Sequence, residues 1–156
     1  MISGSDTSGP SSFPLSGAVA FCGSRHGSPF PVSPVVAAML SAGGSVRVVC
    51  ASGVDAAVRF CCPSAVVLRA SSFSGPLRAR LAARTRTVVA GASALCVFPP
   101  AGGSLGPGSS LAAREALWRN LPVWCAGSRP SVSAFRSPLR LAGVFGFVCF
   151  PVPLFF

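Results

Sequence analysis

The chain has 156 residues, 51% of them apolar, and a formal net charge of +10 at pH 7. This length predicts one domain with an ordinary core, and the apolar content excludes a wholly disordered chain. All 13 basic residues are arginines, against the three acids Asp6, Asp55 and Glu115, so we expect salt-dependent attraction to polyanions. Charge alone does not establish a nucleic-acid function.

The middle of the chain alternates between apolar runs that predict strands and segments that predict helices. The strands are predicted at 18–22, 45–50, 64–69, 94–99 and 122–127. The first helix is predicted with Ser33 as its N-cap, Pro34 in its first turn and Gly43 past its end. The other helices are predicted at 54–60, 76–91 and 110–120. This alternation favours an α/β fold, a Rossmann-like three-layer sandwich with a mostly parallel five-stranded sheet.

The ends of the chain differ in composition from this middle part. Residues 1–17 are rich in Ser, Gly and Pro, which predicts a flexible tail and not a signal peptide. Residues 128–156 form an apolar extension that could add a strand to the core or remain a poorly ordered tail. Its last stretch, 141–156, is short for a membrane helix and is broken by two prolines, so no stable membrane span is expected.

Seven cysteines occur without a C-x-x-C pair. Because several lie in apolar runs, we expect small buried free thiols in a reducing, cytoplasmic compartment. With a single histidine, His26, the sequence predicts no metal site, and it offers no sign of a cofactor.

Three loops are predicted to follow strand carboxyl ends, which is where ligands bind in sheets of this type. They span residues 23–26, 51–55 and 99–110. Each contains Gly or Ser close to a helix start, a composition that lets backbone amides approach an anion.

The segments around these loops resemble the SLOG superfamily, which includes DNA-processing protein A (DprA) and the LOG proteins. The resemblance covers residues 18–127, is closest to the DprA-like pattern, and rests on "VAFCGSR", "VVCASGVDAAVR", "LAARTRTVVAGASALCVFPP" and "GPGSSLAAREALWRNLPVWCAG". It implies a phosphate-binding crevice formed by Gly23, Ser24, Arg25, Gly53, Asp55, Arg84, Arg86, Gly108, Ser109 and Ser110. It also allows a homo-oligomer, because relatives of this type are commonly oligomers.

The sequence departs from the LOG signature P-G-G-x-G-T-x-x-E. The position of its glutamate holds Ala112, and Glu115 lies about one helical turn further on, where it could simply pair with Arg119. The loop also contains an extra segment that brings Pro107 next to the phosphate turn. These departures argue against transferring a catalytic role.

Simpler roles exist for several of the other candidates. Asp55 could have no role beyond a favourable interaction with the dipole of its helix, and Arg25 could be a solvated surface residue. The arginines of the third helix could form a solvated face. His26 has no G-x-S-x-G partner for a catalytic triad, and Trp118 and Trp124 are expected in the core.

Three functions are therefore compared. The leading hypothesis is a sensor or DNA-processing accessory protein that binds a nucleotide or a nucleotide-derived phosphorylated ligand, without catalysis. The second is a LOG-like N-glycosidase (phosphoribohydrolase). The third is DprA-like binding of single-stranded DNA, which the charge favours but for which stacking aromatics are scarce.

Overall fold

The computed structural model describes residues 13–102, 104–127 and 137–150. Its strands are β1 (Ala18–Gly23), β2 (Ser45–Val49), β3 (Val66–Leu68), β4 (Ala94–Phe98), β5 (Val123–Ala126), β6 (Ser137–Leu141) and β7 (Val144–Cys149). Its helices are α1 (Ser33–Ser41), α2 (Val54–Cys61), α3 (Leu77–Ala90) and α4 (Pro107–Trp118), and a single 3-10 turn spans Ala70–Ser72. The predicted alternation of strands and helices is therefore confirmed up to β5.

One mostly parallel sheet joins all of these strands, in the order β3-β2-β1-β4-β5-β7-β6. The first five strands are parallel to one another, whereas β7 pairs antiparallel with both β5 and β6. The prediction of five strands was wrong, because the described part of the apolar extension contributes two more. The direction in which successive strands are added to the sheet reverses between β1 and β4. The helices that follow these two neighbouring strands, α1 and α4, therefore pack on opposite faces.

Helices cover both faces of the sheet, which divides the core into two clusters. On one face, α1 and α2 pack Val35, Met39 and Val58 against the sheet, together with Phe21 and Phe98. On the other face, α3 and α4 contribute small side chains, among them Val88, Val89, Ala112, Ala113 and Ala116. Continuous apolar strands such as β4 are buried along their whole length because helices cover both sides.

The hairpin β6–β7 occupies residues 137–149 of the C-terminal extension. Its strand β7 extends the sheet beyond β5, and the indole Nε1 of Trp124 donates a hydrogen bond of 2.9 Å to the Leu139 carbonyl. Residues 128–136 and 151–156 of the extension, like residues 1–12 of the predicted N-terminal tail, lie outside the described residues.

Several details of the helices differ from the predictions. Val32, not Ser33, is the N-cap of α1, and no side chain caps it. On α3, Leu77 in the first turn is exposed, whereas Val88 near the end of the helix is buried. Trp124 is fully buried as expected, but Trp118 at the end of α4 is 80% exposed, so its assignment to the core was wrong.

The seven cysteines are all free, and Cys22, Cys62, Cys96 and Cys125 are buried. This distribution agrees with their predicted role as small core residues. None of the helices in residues 13–102, 104–127 and 137–150 is both long and apolar enough to cross a membrane.

Candidate functional site

A cavity of about 450 Å³ lies at the carboxyl ends of the central strands. Its walls come from the three loops that the sequence singled out, together with the inner side of α3. The predicted site residues among its lining are Gly23, Ser24, Arg25, Asp55, Arg84, Gly108 and Ser109. Its position follows from the topology, since β1 and β4 send their following helices to opposite faces and leave a crevice between them.

The turn after β1 forms the first wall and is fixed by backbone hydrogen bonds. The amide of Ser24 donates to the Phe98 carbonyl at 3.2 Å, and the His26 amide donates to the Ser24 hydroxyl at 3.1 Å. Arg25 lies between them with an exposed side chain at the rim of the cavity. A turn fixed by hydrogen bonds therefore carries an exposed cation at the entrance.

Gly53 packs closely against the backbone of this turn and does not itself line the cavity. It is the N-cap of α2 with φ 71° and ψ −124°, a conformation available in practice only to glycine. A Cβ atom there would collide with the backbone of Ser24 and Arg25. Next to it, the Val54 amide and the Ser52 hydroxyl donate to the carbonyls of Ser24 and Arg25, respectively.

We expect Gly53→Ala to destabilise the protein by about 3 kcal/mol, because it combines backbone strain with a collision. Gly27→Ala is the matched control, since Gly27 also has a positive φ, of 91°, but a Cβ there meets nothing within 4 Å. That control should cost about 1 kcal/mol. Urea unfolding of both variants measures the difference, and equal losses would mean that the close packing of Gly53 contributes nothing.

Asp55, in the first turn of α2, is the buried acid of the cavity. Its side chain is 3% exposed, and its Oδ1 atom has no hydrogen-bond partner among the described residues. Burial raises the pKa of this carboxyl to about 7, although the guanidinium groups of Arg84 and Arg59 oppose the shift. A carboxyl in this state can accept or donate hydrogen bonds near neutral pH.

Arg84 reaches the same cavity from α3 and is only 8% exposed. Its Nη1 donates to the Cys50 sulfur at 3.2 Å, while its buried Nε has no partner among the described residues. Arg59, by contrast, is held by the backbone, since its Nη1 donates to the carbonyls of Val49 and Ala51. Arg84 is therefore the buried cation with donor capacity left for a ligand.

Two cysteines flank Asp55 and Arg84, and their pKa values are shifted in opposite directions. Burial raises the pKa of the Cys22 thiol, which lines the cavity, and the nearby Asp55 carboxylate adds to the increase. Burial also acts to raise the pKa of Cys50, but hydrogen bonds from the Ala70 amide and from Arg84 outweigh it and lower the pKa overall. The Cys22 thiol is thus a neutral part of the cavity wall, and the Cys50 sulfur accepts the hydrogen bond that orients Arg84.

The N-terminus of α4 closes the third side of the cavity. Gly106 is its N-cap, and the first intrahelical bond runs from the Ser110 amide to the Gly106 carbonyl at 2.9 Å. The helix therefore begins earlier than predicted, and neither Ser109 nor Ser110 is its cap. Because Gly108 and Ser109 precede that bond, their N–H groups have no acceptor within the helix. Both residues line the cavity.

Three of the ten predicted site residues lie outside the lining. Besides Gly53, these are Ser110, whose hydroxyl is directed to the Leu105 carbonyl at 3.5 Å, and Arg86, which points outwards. Arg86 pairs loosely with Glu115 at 3.9 Å, and Glu115 pairs closely with Arg119 at 2.8 Å. Glu115 therefore has the structural role that the i,i+4 spacing predicted.

Several residues that line the cavity were not among the predicted site residues. They are Phe21, Cys22, Val49, Ala51, Thr85, Val88, Pro100, Ser104, Gly106, Pro107 and Ala112. Five of them, Ala51, Pro100, Ser104, Gly106 and Pro107, lie within the predicted loops. Phe21, Cys22, Val49 and Ala112 lie one or two positions beyond a loop end, and Thr85 and Val88 lie on α3. Gly103, in the third predicted loop, lies outside the described residues. Within the described ranges, no three side chains of His, Cys, Asp or Glu cluster in a way that could hold a metal ion.

Comparison with known proteins finds no family model, no curated protein and no solved structure that matches this chain. The assignment of a function therefore depends on the chemistry of the cavity.

Proposed function

We propose that this protein binds a nucleotide, or a nucleotide-derived phosphorylated ligand, in the cavity between β1, β2 and β4. The observation that carries the proposal is that two of the three buried side-chain atoms without a hydrogen-bond partner among the described residues, the Asp55 Oδ1 acceptor and the Arg84 Nε donor, belong to residues that line this cavity. Unsatisfied buried polar groups destabilise a free protein by about 1–3 kcal/mol each, so two in one cavity indicate a ligand that satisfies both.

The phosphate of this ligand would bind at the N-terminus of α4. The N–H groups of Gly108 and Ser109, together with the helix dipole, favour an anion at this end of the cavity. The Arg84 guanidinium would supply a buried positive charge, and Arg25 could close over the anion from the rim. Arginine suits this role because its planar fork matches two phosphate oxygens.

The sugar of the ligand would contact Asp55. A carboxylate at this position can accept hydrogen bonds from both hydroxyls of a ribose, as acids do in other nucleotide-binding sheets. With these contacts the protein would be a Rossmann-like domain of the SLOG and DprA-like kind, acting as a sensor or accessory protein. The seven free thiols support a reducing, cytoplasmic location.

A thermal-shift titration with ADP, AMP and oligo-dT at moderate salt tests this proposal. We expect ADP to raise the melting temperature of the wild type and to have little effect on Asp55→Asn, whose side chain would present an amide in place of a carboxylate. If only oligo-dT stabilises the protein, and stabilises the variant equally, the net charge explains the binding and single-stranded DNA becomes the ligand class.

An N-glycosidase is the second candidate function, and one observation favours it. The Asp55 carboxyl, with a pKa of about 7, is an acid–base group buried within the cavity, although the LOG glutamate is absent. In that reaction water adds to C1′ as the C1′–N bond breaks, and a proton passes to the leaving base. Incubation with AMP would then release adenine and ribose 5-phosphate, and Asp55→Asn would abolish the release. Recovery of intact AMP after prolonged incubation would exclude this activity.

A further inference from the structure

A second cavity, of about 520 Å³ and open to solvent along the exposed residues Leu77 and Arg78, adjoins the first between α3 and α4. The two cavities share residues at their boundary, including Arg25, Arg84 and Gly108. The proposed phosphate position, at Arg84 and the N-terminus of α4, is therefore also the passage from one cavity to the other. A ligand that binds there can extend in both directions.

The two cavities differ in their chemistry. The first contains the buried acid Asp55, whereas the second is lined on α3 and α4 by apolar side chains, among them Leu81 and Leu111, with Arg78 as an additional cation. A cavity lined by both apolar side chains and an arginine suits an uncharged aromatic ring, because arginine stacks on aromatic faces. A second phosphate alone would leave the leucines in contact with water.

The volumes of the two cavities also favour a ligand that is larger than one nucleotide. Each cavity by itself falls in the range of about 300–1,000 Å³ that is typical of small-molecule sites. A nucleoside monophosphate would occupy the first cavity and leave the second empty.

We propose that the ligand is a dinucleotide, two nucleosides joined through a pyrophosphate, whose second base binds between α3 and α4. The first ribose contacts Asp55, the pyrophosphate lies at Arg84 and the N-terminus of α4, and the second base packs between Leu81 of α3 and Leu111 of α4, with Arg78 beside it. This inference rests on the proposed function and narrows its ligand class.

Calorimetric titration with three probes tests this inference. ADP has no second group, ADP-ribose adds a sugar, and diadenosine diphosphate adds a sugar and an uncharged base. We expect diadenosine diphosphate to bind the wild type about tenfold more tightly than ADP-ribose does, a gain of about 1.4 kcal/mol. ADP and ADP-ribose should bind with similar affinity, since neither fills the second cavity.

Two variants test whether this tenfold gain in affinity arises in the second cavity. Leu81→Gln removes apolar surface and Ala82→Phe fills the second cavity, so both should lose the tenfold advantage and still bind ADP as the wild type does. Leu40→Gln is the matched control, because Leu40 is a partly exposed leucine on α1, away from both cavities. Melting temperatures without ligand establish that each variant is folded.

The outcomes separate this inference from the proposal on which it rests. Equal affinity of the wild type for ADP and diadenosine diphosphate would overturn the dinucleotide and leave a mononucleotide site. A tenfold gain that persists in both Leu81→Gln and Ala82→Phe would place the second base elsewhere. Absence of binding by all three probes would refute the proposed function itself.

Discussion

Replacing Asp55 with asparagine is expected to stabilise the ligand-free protein increasingly as the pH rises from 4 to 8. Burial raises the pKa of this carboxyl to about 7, whereas an unfolded chain has an aspartate pKa of about 3.9. Between these values the folded protein binds a proton that the unfolded chain has lost, so the free energy of unfolding of the wild type falls with pH. The loss is complete once the pH exceeds the folded-state pKa.

The expected size of this effect is about 3–4 kcal/mol, at 1.36 kcal/mol for each pKa unit. Urea unfolding of the wild type and Asp55→Asn at pH 4, 6 and 8 measures it. The difference between the two proteins is the relevant quantity, because other titrating groups cancel and any effect of the new amide does not vary with pH. A difference that is constant across this range would show that Asp55 is not a destabilised buried acid.

Replacing Arg84 with methionine is expected to weaken ADP binding by about 10- to 100-fold. Hydrogen bonds to charged groups contribute roughly 1.5–3 kcal/mol, and about 1.4 kcal/mol corresponds to a factor of ten in affinity. The variant also removes a positive charge that lowers the pKa of Asp55. The carboxyl would then stay protonated to a higher pH and would be a weaker acceptor for the ribose hydroxyls. Calorimetric titration at pH 8 measures the loss.

Arg86→Met is the matched control for this result. Both arginines lie on α3 and both were candidate ligand residues by sequence, but Arg86 is exposed and faces Glu115. Its removal changes the net charge by the same amount and should alter ADP affinity by less than about twofold, because exposed charges are screened by salt. Equal losses in the two variants would attribute binding to overall charge and contradict a specific role of Arg84.

Much of the fold was predictable because its strands are nearly continuous apolar runs. The segments "AVAFC" and "ALCVF" match β1 and β4, where helices on both faces leave no polar positions. The hairpin β6–β7 was not predicted because its apolar residues, interrupted by Gly143 and Gly146, fit an apolar tail equally well. The exposure of Trp118 was missed because the sequence does not show that Ala112, Ala113 and Ala116 form the buried face of α4.

The candidate site was predictable to the level of its loops but not of its side chains. The topology brings strand carboxyl ends together, so three separate loops could be assigned to one crevice. The sequence could not show that Arg84 turns inwards while Arg86, two residues later, turns outwards, since this depends on how α3 packs on the sheet. Nor could it show that Asp55 is buried without a hydrogen-bond partner for its Oδ1.

A crystal structure of the protein with ADP tests the central claim most directly. In this complex we expect a ribose hydroxyl within hydrogen-bond distance of Asp55 Oδ1. We also expect phosphate oxygens to accept hydrogen bonds from Arg84 and from the N–H groups of Gly108 and Ser109. ADP bound at the exposed arginines, with the cavity left empty, would contradict the central claim and leave only the electrostatic attraction that a charge of +10 produces.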